Sequence, residues 1–154
     1  MAGQEQAIAA EPAQAGPADG GDSRLAELFR EHQGHNNAFF NGSPENEYWV
    51  HDAAVTLHGG FDISQRGWST IEGGLNWAAS RLSDGEMTFT PLGGRVVGDL
   101  AYTAGIEEGT VRLDGGERRP MKLRVTMVHQ RVEGRWLCVH RHGEMVRPGG
   151  GPPA

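Results

Sequence analysis

His140 and His142 stand two residues apart in the run Val139-His140-Arg141-His142-Gly143 near the end of the chain. In an extended strand such residues share a face and lie about 7 Å apart, so this pair could relay protons near neutral pH or bond a ligand oxygen. A third histidine, His58, closes the apolar run from Ala54 and meets Gly59-Gly60, where a base would sit at the rim of an enclosed space. Tyr102 offers a hydroxyl that could hold a developing oxyanion. These four, His58, His140, His142 and Tyr102, are the candidate catalytic residues. With His58 or His129 the pair could also supply nitrogen ligands to a metal. No acid is spaced to complete that set, so neither metal nor cofactor is expected. The plainer reading keeps each of them as a satisfied wall or core side chain.

Three helices and a run of strands must position these groups. Leu25, Leu28, Phe29, His32, Phe39 and Phe40 recur at helical spacing after Ser23, a plausible N-cap, and Asn41-Gly42 ends the segment. Ser43-Pro44-Glu45 predicts a short second helix carrying Tyr48, Trp49 and Val50. After the strand Ala54–His58, Ser69 and Glu72 have the spacing of a capping box ahead of Ile71, Leu75, Ala78, Ala79 and Leu82. Trp77 lies off that stripe and is expected on a cavity wall. Beyond Asp84-Gly85 the period becomes strand-like, over about 86–97, 100–113, 120–132 and 135–146, with turn chemistry at Gly98-Asp99, Asp114-Gly115-Gly116 and Glu133-Gly134. Helices followed by a meander predict an α+β fold with the helices on one face of a curved sheet.

A two-residue turn at Glu133-Gly134 pairs Arg131 with Trp136, His129 with Cys138, Met127 with His140 and Val125 with His142. On that register Val125, Met127, His129, Trp136, His140 and His142 share the inner face, and Arg124, Thr126, Val128, Val139 and Arg141 the outer one; a bulge would exchange them. In the neighbouring strand Tyr102, Ala104 and Ile106 share a face, and the register puts Glu108 rather than Glu107 inward. The mixed outer face reads as a subunit interface.

The chain has 154 residues, of which 32 are Gly or Pro, and a net charge of −6. Residues 1–22 carry four acids, no Lys, Arg or aromatic, and too little apolar surface to offset ordering entropy; 148–154 reads PGGGPPA. Both are expected to be disordered tails holding 12 of those 32 residues, around one domain, 23–147, of net charge −2. Acidity argues against nucleic acid as a partner, and no apolar run approaches the length of a membrane span. One cysteine, Cys138, excludes an intramolecular disulfide and a cysteine-cluster zinc site. Without a basic start and apolar core there is no secretory leader, so a cytoplasmic protein is expected.

The runs Leu100-Ala101-Tyr102-Thr103-Ala104-Gly105-Ile106-Glu107, Leu123-Arg124-Val125-Thr126, Glu133-Gly134-Arg135-Trp136 and Val139-His140-Arg141-His142 resemble the SnoaL-like, ketosteroid-isomerase-like branch of the nuclear transport factor 2-like superfamily. His51-Asp52-Ala53-Ala54-Val55-Thr56-Leu57, Gly67-Trp68 and Trp77-Ala78-Ala79-Ser80-Arg81 fit the same branch. The resemblance covers about residues 24–147. It implies a cone-shaped, cystatin-like α+β roll, with three N-terminal helices on a strongly curved antiparallel sheet that encloses a deep, mostly apolar cavity. It also implies a homodimer joined through the outer sheet face. Leu57 stands where ketosteroid isomerases carry their basic Asp. The ending Val139–Gly143 resembles the association domain of calcium/calmodulin-dependent kinase II as well, with Ala104, Met127 and Gly143 in place of its cavity arginines. The expected function is binding of an apolar small molecule against Trp77, Ala104, Val125 and Met127. Cofactor-independent isomerisation, cyclisation or dehydration is one extension, and a non-catalytic ligand-binding or dimerisation module the other.

Overall fold

The structure, a computed structural model, describes residues 22–147. The expected tails, 1–22 and 148–154, fall outside the described residues except for Asp22. Two helices, α1 (Ser23–Phe39) and α2 (Trp68–Ser80), lie with a six-stranded sheet. The strands are β1 (Thr56–Gly59), β2 (Ile63–Arg66), β3 (Leu82–Val97), β4 (Leu100–Leu113), β5 (Arg118–Val132) and β6 (Arg135–Met145). Their order is β2-β1-β6-β5-β4-β3. All pairs are antiparallel except β1 with β6, so the sheet is mixed rather than purely antiparallel. Among the described residues no helix is long and apolar enough to cross a membrane.

The expected second helix is a single 3-10 turn, Asn46–Tyr48. Glu45 ahead of it has φ 55° and ψ 42°, a left-handed conformation that cannot continue into a right-handed helix, and Trp49 beyond it is already extended and bridges Cys138. Cap assignments also differ. Asp22, not Ser23, caps α1 by accepting the Arg24 N–H. Gly67, at φ 85°, precedes α2 with no side-chain cap, which leaves Ser69 and Glu72 inside the helix. The hairpin partner β2 was not foreseen, and β3 starts directly after α2 at Leu82.

Bulges in β3, between Ser83 and Glu86 and between Pro91 and Gly93, bend that long strand. Beneath the curve the core gathers side chains from α2, β1 and the inner faces of β3 to β6, Ile71, Leu75, Met87, Val111, Leu123 and Val125 among them; a second cluster joins α1 to Ala101 and Trp136.

One further bulge changes which residues face inward. The Glu133-Gly134 turn pairs Arg131 with Trp136 and His129 with Cys138, as the turn chemistry requires. Val128 then pairs with His140, so Val139 is an extra residue on β6. Past it the register is Met127 with Arg141 and Val125 with Gly143. The expected faces are therefore exchanged at that point: Arg141 points in, while His140 and His142 point out.

Candidate functional site

The inner face of β4 reads Ala101, Thr103, Gly105 and Glu107, all buried. Glu107 is fully enclosed. Arg141 reaches it from β6 as a two-pronged ion pair, Nη1 to Oε2 at 2.8 Å and Nη2 to Oε1 at 2.9 Å. A Cβ on Gly143 would lie 2.9 Å from that guanidinium, so a glycine leaves room for its fork. From α1, His32 brings Nε2 within 2.7 Å of Glu107 Oε2, and its ring lies flat on Phe89 with centroids 3.6 Å apart.

Burial alone would raise the Glu107 carboxyl, but the Arg141 charge and hydrogen bonds from His32 and Arg141 bring it down to about 2. Burial lowers the His32 imidazole despite the carboxylate beside it. His32 is therefore a neutral ring donating Nε2–H to an ionised Glu107. Near it His129, bonded through Nε2 to the Thr103 hydroxyl at 3.1 Å, is driven by burial down to about 3.

This triad floors a small cavity of about 60 Å³. Helix α1 contributes His32, His35, Asn36 and Phe39 at three- and four-residue spacing, hence from one face. Trp49, Leu75 and Met127 add apolar wall, and Tyr48 and Glu45 come from the 3-10 turn and its lead-in. Three polar groups of residues lining this cavity are buried without a protein partner: the Tyr48 hydroxyl, the Asn36 side-chain nitrogen and His32 Nδ1. Burial raises the Tyr48 phenol well above its ordinary value, so it is an O–H donor. Nearer the mouth, His35 Nδ1 meets Glu45 Oε1 at 2.6 Å, the Ser43 hydroxyl donates to Glu45 Oε2 at 2.6 Å, and the His35 ring stacks on Tyr48 at 3.6 Å. A second chamber of about 50 Å³ adjoins the first across Phe39, Phe40, Leu75 and Arg141; its own wall is largely aliphatic and aromatic, including Leu57, Phe61, Ile63 and Leu123.

Of the sequence-derived candidates, Met127 lines the first chamber and Val125 lies in the core beside it. The other six are elsewhere. His58, His140 and His142 gather on the outer sheet face, with ring centroids of His58 5.9 Å from His140 and 5.0 Å from His142. There His140 Nδ1 bonds the Thr56 hydroxyl and His58 Nδ1 the Ser64 hydroxyl. Among the described residues no group of three or more His, Cys, Asp or Glu has a metal-binding arrangement. Tyr102, 44% exposed, and Ala104 share that outer face, since their neighbours on β4 point in. Trp77 is 48% exposed on α2, edge-on to Phe61 and under the Arg81 guanidinium. Sequence reasoning passed over His35, Asn36 and Glu45, chose Glu108 over Glu107, and put Arg141 inside only if a bulge exchanged the faces. The available signal was three polar residues, His32, His35 and Asn36, placed along the buried side of an amphipathic helix.

No protein-family model matches the chain, and no curated protein does. Solved structures do. A ketosteroid isomerase-like protein from Erwinia carotovora atroseptica aligns at TM-score 0.62 with 14% identity, over 73% of this chain and 88% of that one. The association domain of C. elegans CaMKII aligns at 0.58 with 18% identity, over 81% and 98%. An NTF-2 like protein of unknown function from Shewanella oneidensis aligns at 0.55 with 14% identity, over 78% and 95%. The chain has the nuclear transport factor 2-like fold. At these identities the likeness fixes the fold and leaves the chemistry to the residues. Within this nuclear transport factor 2-like fold, Arg141, Glu107 and His32 line one cavity.

Two outcomes follow for stability. Unfolded, His129 takes a proton near pH 6.5; folded, it resists until about pH 3. The unfolded chain thus binds more protons across that window, and stability falls with falling pH by about 1.4 kcal/mol per unit for each such group. His32 adds in the same direction, and Glu107 extends the loss as pH drops from 4.5 towards 2. Urea unfolding measured across this range should show the slope, and His129→Gln should remove about one proton's share of it. Arg141→Met leaves Glu107 charged without its cation and should destabilise by about 3–5 kcal/mol, while Arg141→Met with Glu107→Gln recovers part of the loss.

Proposed function

We propose that the cavity binds a small uncharged molecule with an apolar body and one polar group, and that two copies of the chain pair through the outer sheet face. The observation that carries the first part is the Tyr48 hydroxyl and the Asn36 amide nitrogen, buried and unpartnered beside the apolar side chains of Phe39, Trp49, Leu75 and Met127. Buried polar groups without partners are rare, and a ligand oxygen would satisfy both as donors. The apolar body would lie against Met127, Leu75 and Trp49 or extend towards the second chamber. A carboxylate ligand is disfavoured, because both prongs of Arg141 are already taken by Glu107. An anion would enter a low-dielectric site without a free counter-charge. Titration of isotope-labelled protein with cyclohexanone and with cyclohexanecarboxylate tests this. The ketone should shift the Asn36 side-chain signals, Tyr48→Phe should weaken it about 2- to 10-fold, and the carboxylate should leave the cavity signals unmoved. Equal binding of both probes, or a Tyr48→Phe variant that binds as well as the parent, would falsify the reading.

Pairing is supported by the outer face itself. Val97, Leu100 and Tyr102 are 69%, 53% and 44% exposed, and Ala104, Ile106 and Val128 lie among them on adjacent strands. These apolar residues are interleaved with Arg95, Arg124, Thr126 and Gln130, the mixed character of a subunit interface, and a second copy of the same face is its simplest cover. One of the structural neighbours is itself described as an association domain. Sedimentation equilibrium should show a dimer, and Val128→Asp, which puts a carboxylate beside Tyr102 and His140, should shift it to monomer. A parent protein that is monomeric at its highest soluble concentration rejects the pairing.

A further inference from the structure

The outer sheet face does not end at its apolar residues. Along one row Tyr102 lies opposite Val128, and Val128 opposite His140; along the next, Ala104 lies opposite Thr126, and Thr126 opposite His142. The parallel partner β1 then places Thr56 beside His140 and His58 beside His142. Three histidines therefore continue the surface that carries Tyr102 and Val128. A stable interface takes about 800 Å² from each partner, or about 20–30 residues. The six apolar positions on β3, β4 and β5 fall short of that, so a copy seated on them extends over β6 and β1 as well. The rings there are close, with His58 5.0 Å from His142 and 5.9 Å from His140 between centroids. Neutral imidazoles can share such a space, whereas imidazoliums this close repel unless acids stand among them. The charged groups facing them are few. Strand β2 offers Arg66, opposite Thr56, and β5 offers Arg124. On β6 itself Glu144 brings Oε1 within 3.6 Å of His142 Nε2, but it is already paired with Arg124. Asp62 before β2 and Arg147 beyond β6 line the groove that holds His58 and His142. Helix α2 and the 3-10 turn pack on the inner side, through Leu75 and Tyr48, and bring no charge to this face. Three arginines thus meet two carboxylates, and no acid is left over for the rings. Partial burial, and after it the two neighbouring imidazoles, already hold His140 below its ordinary value.

We propose that His58, His140 and His142 make the pairing of two copies depend on pH: the copies associate through the outer face while these rings are neutral, and separate as the rings take up protons between about pH 7 and about pH 5. The inference rests on the pairing reading above. Covering the face removes water from the rings and gathers six of them in one assembly, which disfavours the charged form. By two-fold symmetry the second copy brings the same surplus of arginine over carboxylate, so it supplies no counter-charge. The dimer therefore binds fewer protons than two free copies, and lowering the pH draws the equilibrium towards the free copies. His32 and His129 are buried within each copy whether it is paired or free, so their protons do not enter this difference.

Sedimentation equilibrium of the full chain at about pH 7.5 and about pH 5.5 tests this, with near-ultraviolet circular dichroism showing that the protein is folded at both. The dimer dissociation constant of the parent should rise at least about 10-fold on that step. With His58→Gln, His140→Gln and His142→Gln combined, it should change by less than about 2-fold. His140→Lys, a single change that sets a permanent charge opposite Val128, should weaken pairing about 10-fold already at the higher pH. A parent that pairs equally well at both pH values overturns the inference and leaves the pairing reading standing. So does an undiminished pH effect in the triple variant, or a His140→Lys protein that pairs as tightly as the parent. A parent that is monomeric at both pH values overturns the inference and the pairing reading together.

Discussion

A carboxylate shut away from water needs a cation within bonding distance, and Glu107 imposes that need on the fold around it. Burying such a charge unpaired costs several kcal/mol, more than a bulge or a displaced strand register. Arg141 is the cation, and it can face inward only because Val139 is an extra residue on β6. Without the bulge, alternation along β6 would turn Arg141 to the outer face and put His140 opposite Met127. The ion pair then fixes more than itself. Glu107 Oε2 accepts from both Arg141 and His32, so the α1 face that carries His32 is tied to the sheet at that height. His35, Asn36 and Phe39 follow from the helical period.

The same bulge sorts the histidines into two populations with different physics. Inside, burial disfavours the imidazolium, and His32 and His129 are held neutral by it. Outside, His58, His140 and His142 lie edge to edge, and His140 is lowered first by partial burial and then by its two neighbours. Sequence spacing alone puts His140 and His142 on one face, which is correct; which face it is depends on the parity of the strand at one residue.

Much of the fold was legible. Turn residues at Gly98-Asp99, Asp114-Gly115 and Glu133-Gly134 mark hairpins that form where expected, and the periodicity of α1 and α2 stands within a few residues. The reading failed where a single residue decides parity. Val139 carries no glycine or proline to announce a bulge, and its β-branched side chain suits an ordinary strand. On β4 the choice of Glu108 over Glu107 followed from treating Tyr102, Ala104 and Ile106 as core. They lie instead on the outer side of the sheet, where Tyr102 is 44% exposed and pairs with Arg95 and Val128. The predicted helix at 44–50 had a proline and two acids in favourable places. The left-handed Glu45 overrides that local preference, since its carboxylate is held by Ser43 and His35. At both places tertiary pairing of a carboxylate outweighed a local signal, and both places belong to the site.

Charge bookkeeping inside the cavity sets what can happen there. Arg141 and Glu107 cancel, and His32 is neutral, which leaves Glu45 as the unbalanced charge on the wall. An anion arriving from solvent would face that charge with no cation to receive it. Glu45 is held by the Ser43 hydroxyl and the His35 ring rather than by a Lys or Arg, so this part of the wall offers an arriving carboxylate no cation, and that is the physical ground on which the proposed ligand is uncharged.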